Sequence, residues 1–302
     1  MSIVPNFRSA LAACAVLVAT AVFTLAQDKN LTADEIIARN LKSFGSADAI
    51  AKSQNRMAVG TADFTALNTQ KKASGSAVLA SDGKDLAFFS TFDLRDYRME
   101  RIGLFSNKVV IPNIDEGHKS PLGEFLSAYD KLLGARLFGG SIFSNWALYN
   151  ASATGFTMES EGKKKVNNKD AWLVKIVPKG GLGTGSYIKL YFDAKDFHHI
   201  RTVYRQAETE RGSYAANGRG GTGSPPGAWD QDMANNGSQL TEDFEDFSND
   251  AAGISLPHKY SVLLSINSVK GSSEFTWKFA ISEYKLIKAF PADFFSFKAE
   301  IK

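Results

Sequence analysis

The sequence predicts a mainly β fold with added α-helices, built on an antiparallel sheet. Apolar and polar residues alternate over many short segments, which is the pattern of strands that bury one face. Turns of Gly, Asn, Asp and Ser separate these segments at close intervals, and strands joined by short turns pair antiparallel. One stretch with helical spacing interrupts the strands. Because no shift in composition divides the chain, residues 27–302 are predicted to form a single domain.

The first 26 residues predict a signal peptide. Arg8 is the only charged side chain in this stretch, an uncharged apolar run follows it as far as Leu25, and small residues end the stretch at Ala26. Cleavage near Ala26 would release the chain into the periplasm. An uncleaved membrane anchor is the alternative, because the uncharged run nearly reaches the ~20 residues that span a bilayer.

The only cysteine of the chain, Cys14, lies within this first stretch. The tetrapeptide Leu11-Ala12-Ala13-Cys14 has the residues of a bacterial lipobox, so lipidation is a further alternative, although Arg8 stands too close for an apolar region to precede it. After cleavage the chain would hold no thiol, no disulfide and no cysteine-based metal site. This cysteine usage suits an exported bacterial protein.

Charge does not point to a nucleic-acid partner. The formal net charge is +3, the loss of Arg8 lowers it to +2, and residues of both signs are interspersed along the chain. The one tight basic cluster, Lys163-Lys164-Lys165, has the pattern of a solvated turn. The 22 Phe residues, by contrast, require an extensive apolar environment.

Two helices are predicted before the first strand. The stretch Leu31–Gly45 begins with Thr32 as N-cap and Glu35 three positions later, which is a capping box. Apolar residues then repeat at helical spacing as far as Phe44. A shorter helix is predicted from Ser46 to Lys52.

Twelve strands follow from the period-two pattern. Five precede the helical interruption: Met57–Leu67, Ala73–Ala80, Asp85–Leu94, Tyr97–Leu104 and Lys108–Ile114. Seven come after it: Phe156–Lys164, Ala171–Pro178, Tyr187–Asp193, His198–Arg205, Leu240–Phe247, Leu256–Ile266 and Glu274–Lys285.

The interruption, residues 120–146, predicts one amphipathic helix followed by a Gly-rich apolar segment. It carries more apolar residues than one helical stripe can bury. Two interpretations are compatible: a helix packed on the sheet, or a lid over a cavity. The candidate lid residues are Leu126, Leu133, Phe138, Phe143 and Trp146.

Residues 206–239 predict a long flexible loop, since the segment is too long for an ordinary turn. Its glycine stretch Gly218–Gly223 lacks the Gly-Lys-Ser/Thr ending of a phosphate-binding loop. Pro225 and Pro226 also stand where a helix with free N–H groups would have to begin.

The adjacent His198 and His199 are half of the four histidines of the chain. Neighbours in a strand point to opposite faces of the sheet and cannot bind one metal ion together. His118 and His258 lie in other segments, and no spacing typical of a zinc site is present. These histidines are therefore predicted to be structural, with no metal site.

Paired carboxylates at Glu242-Asp243 and Glu245-Asp246 leave a hydrolase open as an alternative. They flank aromatic residues in a predicted strand, and their separation in space cannot be read from the sequence. No Gly-x-Ser-x-Gly elbow is present. No catalytic residue and no cofactor are predicted.

The strongest signal is an alternation of large apolar residues that gives one sheet a continuous aromatic and aliphatic face. Either this face forms an ordinary core under helices, or the sheet curls around a cavity for an apolar ligand. The candidate ligand-binding residues on it are Phe88, Phe92, Trp172, Leu190, Phe192, Tyr260, Val262, Leu264, Phe275, Trp277 and Phe279.

The order of elements and four segments resemble the LolA/LolB-like superfamily of periplasmic lipoprotein carriers and outer-membrane lipoprotein-sorting proteins. The segments are Leu31–Asn40, Tyr187–Tyr204 with its Leu-Tyr-Phe-Asp core, Ile281–Lys285 and Pro291–Phe295. The resemblance implies a strongly curved antiparallel sheet, an incomplete barrel covered by helices, whose apolar interior receives acyl chains. The loop 206–239 departs from this pattern, and no arginine of this chain is matched to the functional basic residue of the family.

The function expected from the face and the resemblance is a periplasmic binding protein that holds a lipid or a lipoprotein acyl chain. An envelope sensor or scaffold that binds a protein partner, with the loop 206–239 as the candidate contact, is the alternative. A hydrolase that uses the strand Glu242–Asp246 is the third class.

Overall fold

The computed structural model describes residues 30–114, 117–183, 185–207, 237–250, 252–268 and 271–297. The predicted signal peptide, residues 1–26, and most of the predicted loop 206–239 lie outside them. The two ends of that loop are strand rather than loop, because residues 205–207 pair with residues 237–239. Among the described helices, none is long and apolar enough to cross a membrane.

Both N-terminal helices form as the sequence predicts. Helix α1 spans Ala33–Phe44, and its capping box is complete: the Glu35 N–H donates to Thr32 Oγ1 over 3.2 Å, and the Thr32 N–H donates to the Glu35 carboxylate over 2.9 Å. Helix α2 spans Ala47–Lys52 after the N-cap Ser46. Ile36, Ile37 and Phe44 bury the apolar stripe of α1 in the core.

Twelve strands form one antiparallel sheet. Their bounds are β1 Arg56–Ala66, β2 Lys71–Ser81, β3 Leu86–Leu94, β4 Tyr97–Phe105, β5 Lys108–Val110, β6 Thr157–Val166, β7 Lys169–Val177, β8 Tyr187–Asp193, β9 His199–Ala207, β10 Gly237–Asn249, β11 Ser255–Ser268 and β12 Gly271–Leu286.

The sheet consists of two meanders joined where the first strand meets the last. Its order is β5-β4-β3-β2-β1-β12-β11-β10-β9-β8-β7-β6, so β5 and β6 are its two edges. These edge strands are consecutive in the chain. The connection between them, residues 111–156, therefore leads from one edge of the sheet to the other.

The sheet is strongly curved. Trp277 of β12 and Tyr97 of β4 are four strands apart, which in a flat sheet corresponds to about 19 Å at ~4.8 Å per strand. The Trp277 Nε1–H nevertheless donates a 2.7 Å hydrogen bond to the Tyr97 hydroxyl. The rings of Phe88 and Phe279, three strands apart, also lie 5.2 Å from centroid to centroid. The predicted incomplete barrel is thus present as a single curled, open sheet.

The helical interruption contains two short helices instead of the single predicted one. Helix α3 spans Pro121–Ala128 and helix α4 spans Asp130–Gly134. Tyr129 breaks them with φ −122° and ψ 49°, and its ring packs on Phe125 with centroids 4.9 Å apart. Two 3-10 turns, Gly140–Ile142 and Ala147–Ala153, continue the segment toward β6.

The convex side of the sheet carries a separate small apolar cluster. The C-terminal Phe295 is buried there against Ala80 and Ala87, with Phe290 and further aromatic residues around it. The main core lies on the concave side, where the inward side chains of the strands meet α1 and the segment 120–146.

Candidate functional site

The candidate site is the interface between the concave side of the sheet and residues 120–146, which are called the lid below. The five candidate lid residues, Leu126, Leu133, Phe138, Phe143 and Trp146, are all buried. Phe138 packs on Phe88 with ring centroids 5.8 Å apart. Trp146 stacks on His199 at 5.0 Å. The lid side chains therefore fill space against the curved sheet.

Ten of the eleven candidate ligand-binding residues are buried on the concave side. They are Phe88, Phe92, Trp172, Leu190, Phe192, Tyr260, Val262, Leu264, Trp277 and Phe279. Phe275 differs: it is only partly buried, because it pairs with Ala66 at the end of β1, where it stacks on Phe64 at 6.5 Å. With the lid in place the face is packed as a core, and binding of a ligand to these residues stays a prediction.

The tip of the lid touches the sheet at two consecutive glycines. Gly139 and Gly140 have φ of 75° and 51°, in the left-handed region. A Cβ atom on Gly140 would lie 2.9 Å from both His199 Nδ1 and Phe244 Cζ. Only glycine allows the backbone to approach the sheet this closely.

Glu242 anchors this tip from inside the sheet. It lies between Leu240 and Phe244 on the inward positions of β10 and is fully buried. Its carboxylate accepts hydrogen bonds from the Gly139 N–H at 2.7 Å, the Tyr204 hydroxyl at 2.7 Å and the Tyr260 hydroxyl at 2.5 Å. Burial raises the pKa of Glu242 to about 7, and these three donors oppose the rise.

Arg56 holds the lid from the first residue of β1, and its side chain is buried. Its guanidinium donates to the carbonyl oxygens of Ser141 and Ile142, the latter over 2.9 Å. The hydroxyl oxygens of Ser53 and Tyr149 each accept a further hydrogen bond at 3.2 Å. Two carbonyl groups of the lid thus supply part of the polar surroundings that a buried cation requires.

Glu100 forms a third anchor at the start of the lid. Its buried carboxylate accepts hydrogen bonds of 2.5 Å from the Ser120 and Tyr97 hydroxyls. Ser120 is also the N-cap of α3 and accepts the Gly123 N–H at 2.7 Å. Burial raises the pKa of Glu100 to about 7, while the two hydroxyl donors lower it.

Ser144 completes the attachment of the lid near its end. Its N–H donates to Ser81 Oγ over 2.7 Å, and its hydroxyl donates to the Gln54 carbonyl over 2.5 Å. The same hydroxyl accepts the Gly83 N–H at 2.8 Å. The lid is therefore joined to the sheet by side-chain and turn hydrogen bonds at four places along its length.

The two neighbouring histidines occupy different environments. His199 is the first residue of β9, faces the lid and is fully buried, and burial lowers its pKa to about 3, so its ring is neutral. His198 lies in the turn just before the strand rather than within it, because its N–H bonds to the Asp196 carboxylate over 3.0 Å. His198 stacks on Phe247 at 4.3 Å. In the described parts of the chain, no group of three potential ligands could hold a metal ion.

The carboxylates of the strand Glu242–Asp246 are not brought together. Glu242 points inward, whereas Asp243 points outward and forms a two-bond ion pair with Arg201 at 2.6 and 2.9 Å. Glu245 is exposed, and Asp246 lies 3.4 Å from Lys259 at the surface. The arrangement gives no positive support to a two-carboxylate mechanism at this strand.

Sequence reasoning missed the three charged anchors, Arg56, Glu100 and Glu242, as partners of the lid. For Arg56 and Glu100 the alternation gives no clear signal, because Arg56 precedes the predicted strand and the residue two positions before Glu100 is charged. For Glu242 the signal was available, since the alternation places it at an inward position between two apolar residues. A charged residue at such a position requires a polar partner from the opposite side.

No protein-family model matches the sequence, and no curated protein matches it. Among solved structures, the fold is similar to a LolA superfamily protein from Nitrosomonas europaea, with 12% identity, a TM-score of 0.45 and coverage of 88% of this chain and 97% of that chain. A DUF1329 family protein from Desulfovibrio piger has 11% identity and a TM-score of 0.44, with coverage of 87% of this chain and 96% of that chain. A domain assigned to outer-membrane lipoprotein sorting, from Vibrio parahaemolyticus, has 10% identity and a TM-score of 0.42, with coverage of 86% of this chain and 97% of that chain. These are similarities of fold, at low identity.

Proposed function

We propose that the protein is a periplasmic carrier that holds an acyl chain of a lipid or lipoprotein against the concave side of the sheet after the lid has moved aside. The observation that carries this proposal is the filling of an open, curled sheet by the side chains of a separate segment. That segment is attached by hydrogen bonds rather than by strand pairing. It can leave without breaking the sheet.

The free energy of burying the lid side chains and that of burying an acyl chain are of similar size. Burying a large apolar side chain contributes about 1.5–3 kcal/mol, and the lid places five candidates against the sheet. Each buried CH₂ group of an acyl chain contributes about 0.8 kcal/mol, so a long chain offsets the loss of the lid contacts. An acyl chain can therefore replace the lid side chains without a covalent step.

The periplasmic location is part of the proposal and rests on the sequence of residues 1–26 and on the absence of cysteine after Cys14. The acylated ligand is the proposed partner. A second protein of the cell envelope is the proposed donor or acceptor of that ligand.

Native mass spectrometry of the chain purified from a bacterial periplasm, with organic extraction of bound molecules, tests the proposal. We expect a co-purified lipid or acylated peptide and uptake of a fluorescent fatty-acyl probe by the extracted protein. An unliganded mass together with no uptake of the probe would overturn it. The Glu245→Gln variant, which alters an exposed carboxylate on β10, serves as a control that should behave like the wild type.

A further inference from the structure

A groove runs along the outer side of the lid, between the lid and helices α1 and α2. Its volume is about 750 Å³, within the range of small-molecule sites. Leu41 and Ile50 line the helical side, and Trp146, Tyr149 and Phe156 line the opposite side. Apolar walls of this kind suit the start of a hydrocarbon chain.

The charged residues that line this groove are both cationic. They are Lys42, which is exposed in the last turn of α1, and Arg136, which is partly buried. Within the described residues, Lys42 forms no ion pair, and Arg136 donates to the Asn107 side chain over 2.7 Å. Asp85 lies near Arg136 but outside the lining. The groove therefore favours an anionic occupant.

Trp146 separates the groove from the concave side of the sheet. Trp146 lines the groove, and its indole stacks on His199 at 5.0 Å and meets Phe44 edge-on at 5.9 Å. Its Nε1–H is buried without a hydrogen-bond partner in the described structure, as is the Oδ1 atom of Asn145. A buried donor without a partner is unfavourable, so a rotation that exposes the indole N–H to the groove regains that interaction.

We infer that the groove binds the anionic head group of a phosphate-bearing amphiphile, whose acyl chain passes Trp146 to reach the concave side. This inference rests on the proposed function and adds the chemical class of the head group. Lys42 and Arg136 bind the phosphate, and Trp146 is the gate between the head-group site and the acyl site.

A matched pair of probes tests the inference on the chain from residue 27. Palmitoyl lysophosphatidic acid and monopalmitoylglycerol share the acyl chain and the glycerol and differ in the phosphate. Binding is measured by calorimetry below the micelle-forming concentration and at low salt, since salt screens exposed charges. Glycerol 3-phosphate, which has no acyl chain, distinguishes head-group binding from simple anion binding.

For the wild type we expect at least about tenfold tighter binding of the phosphate-bearing probe. The variant Lys42→Glu/Arg136→Glu should lose this preference while it still binds monopalmitoylglycerol. Lys164→Glu/Lys278→Glu changes the net charge equally at exposed positions outside the groove and should keep the preference. If the double variant fails to fold, Lys42→Glu alone should reduce the preference by about threefold.

The remaining outcomes contradict the inference in different ways. Equal binding of both probes by the wild type would overturn the head-group site and leave the proposed function standing. Binding of glycerol 3-phosphate as tight as that of the amphiphile would leave only an anion site. No binding of either amphiphile would overturn the proposed function together with the inference.

Discussion

The backbone N–H of Gly139 donates a 2.7 Å hydrogen bond to the buried carboxylate of Glu242, which joins the tip of the lid to the central part of the sheet. Tyr204 and Tyr260 donate to the same carboxylate from the two neighbouring strands. In the proposed opening of the lid, Glu242 would lose one of these three donors and become accessible to water or ligand. The protonation of Glu242 is therefore linked to the position of the lid.

The first prediction concerns pH. Because the folded pKa of Glu242 is about 7 and its ordinary value is 4.5, the folded state binds the proton more tightly than the unfolded state. Glu242 thus favours folding below about pH 4.5, and this contribution, about 3 kcal/mol, is lost as the pH rises through 7. His199 acts in the opposite direction: its pKa of about 3 contributes stability that is lost as the pH falls from 6.5.

Because Glu242 and His199 act in opposite directions, the wild type is compared with Glu242→Gln, in which the contribution of His199 is retained. The free energy of unfolding of the wild type minus that of Glu242→Gln should increase by about 3 kcal/mol between about pH 8 and about pH 4.5, as measured by urea unfolding. Glu245→Gln, at an exposed position on the same strand, should show a constant difference. A constant difference for Glu242→Gln would contradict the buried, proton-binding carboxylate.

A second prediction concerns Arg56. The Arg56→Met variant removes the donor of the Ile142 carbonyl and leaves the Ser141 carbonyl with only the 3.3 Å hydrogen bond from the Tyr149 hydroxyl. An unpaired buried acceptor costs about 1–3 kcal/mol. We expect faster amide hydrogen exchange in residues 139–147 and little change in β8 and β9. Arg201→Met, which breaks the outward pair with Asp243, is the matched control and should leave exchange in the lid unchanged. Uniform acceleration over all strands in Arg56→Met would mean that Arg56 supports the whole fold.

A third prediction separates close packing from backbone conformation in the lid tip. In Gly140→Ala the new Cβ meets His199 and Phe244 at 2.9 Å and the residue keeps a left-handed φ of 51°. Gly180→Ala has a φ of 90° but no heavy atom within 4 Å. We expect Gly180→Ala to lower the free energy of unfolding by about 1 kcal/mol and Gly140→Ala to lower it by more than about 2 kcal/mol. Equal losses would show that the tip does not press on the sheet.

The sequence predicts the sheet well and the anchors poorly, for a physical reason. Alternation such as Phe275, Trp277 and Phe279 is local, so it identifies strands and their buried faces from the residues alone. The pairing of β1 with β12 joins residues more than 200 positions apart, for example Phe64 with Trp277, and no local pattern contains it. That pairing joins the two meanders, so it decides which inward residues face each other across the curved sheet.

Glu242 illustrates the same limit at the site. The sequence places it in an acidic strand and leaves hydrolase chemistry open, but its inward position between Leu240 and Phe244 makes it a buried anchor. Its partner Gly139 lies 103 positions earlier in the chain. The polar partner of a buried charge is set by tertiary packing, which is why sequence reasoning singled out residues 120–146 and not their attachment to the sheet.

A fourth prediction distinguishes the lid from the wall of the site. Phe138 of the lid and Phe88 of β3 contact each other, and truncation of either to Ala should lower the free energy of unfolding by about 3–5 kcal/mol. Their effects on acyl-probe affinity should have opposite signs. Phe138→Ala weakens the lid that competes with the ligand and should raise the affinity, whereas Phe88→Ala removes part of the site and should lower it. A loss of affinity in both variants would contradict displacement of the lid.

The most direct test of the account is to tie the lid to the sheet. The hydroxyl oxygens of Ser81 and Ser144 lie 2.9 Å apart, and no cysteine follows Cys14, so Ser81→Cys/Ser144→Cys in the chain from residue 27 creates a single pair of thiols in contact. Uptake of a fluorescent fatty-acyl probe is measured for the oxidised and reduced forms, with the two single-cysteine variants as controls. We expect the oxidised form to take up little probe and reduction to restore uptake to the level of the controls. Equal uptake by the oxidised and reduced forms would contradict a carrier that opens by moving this lid.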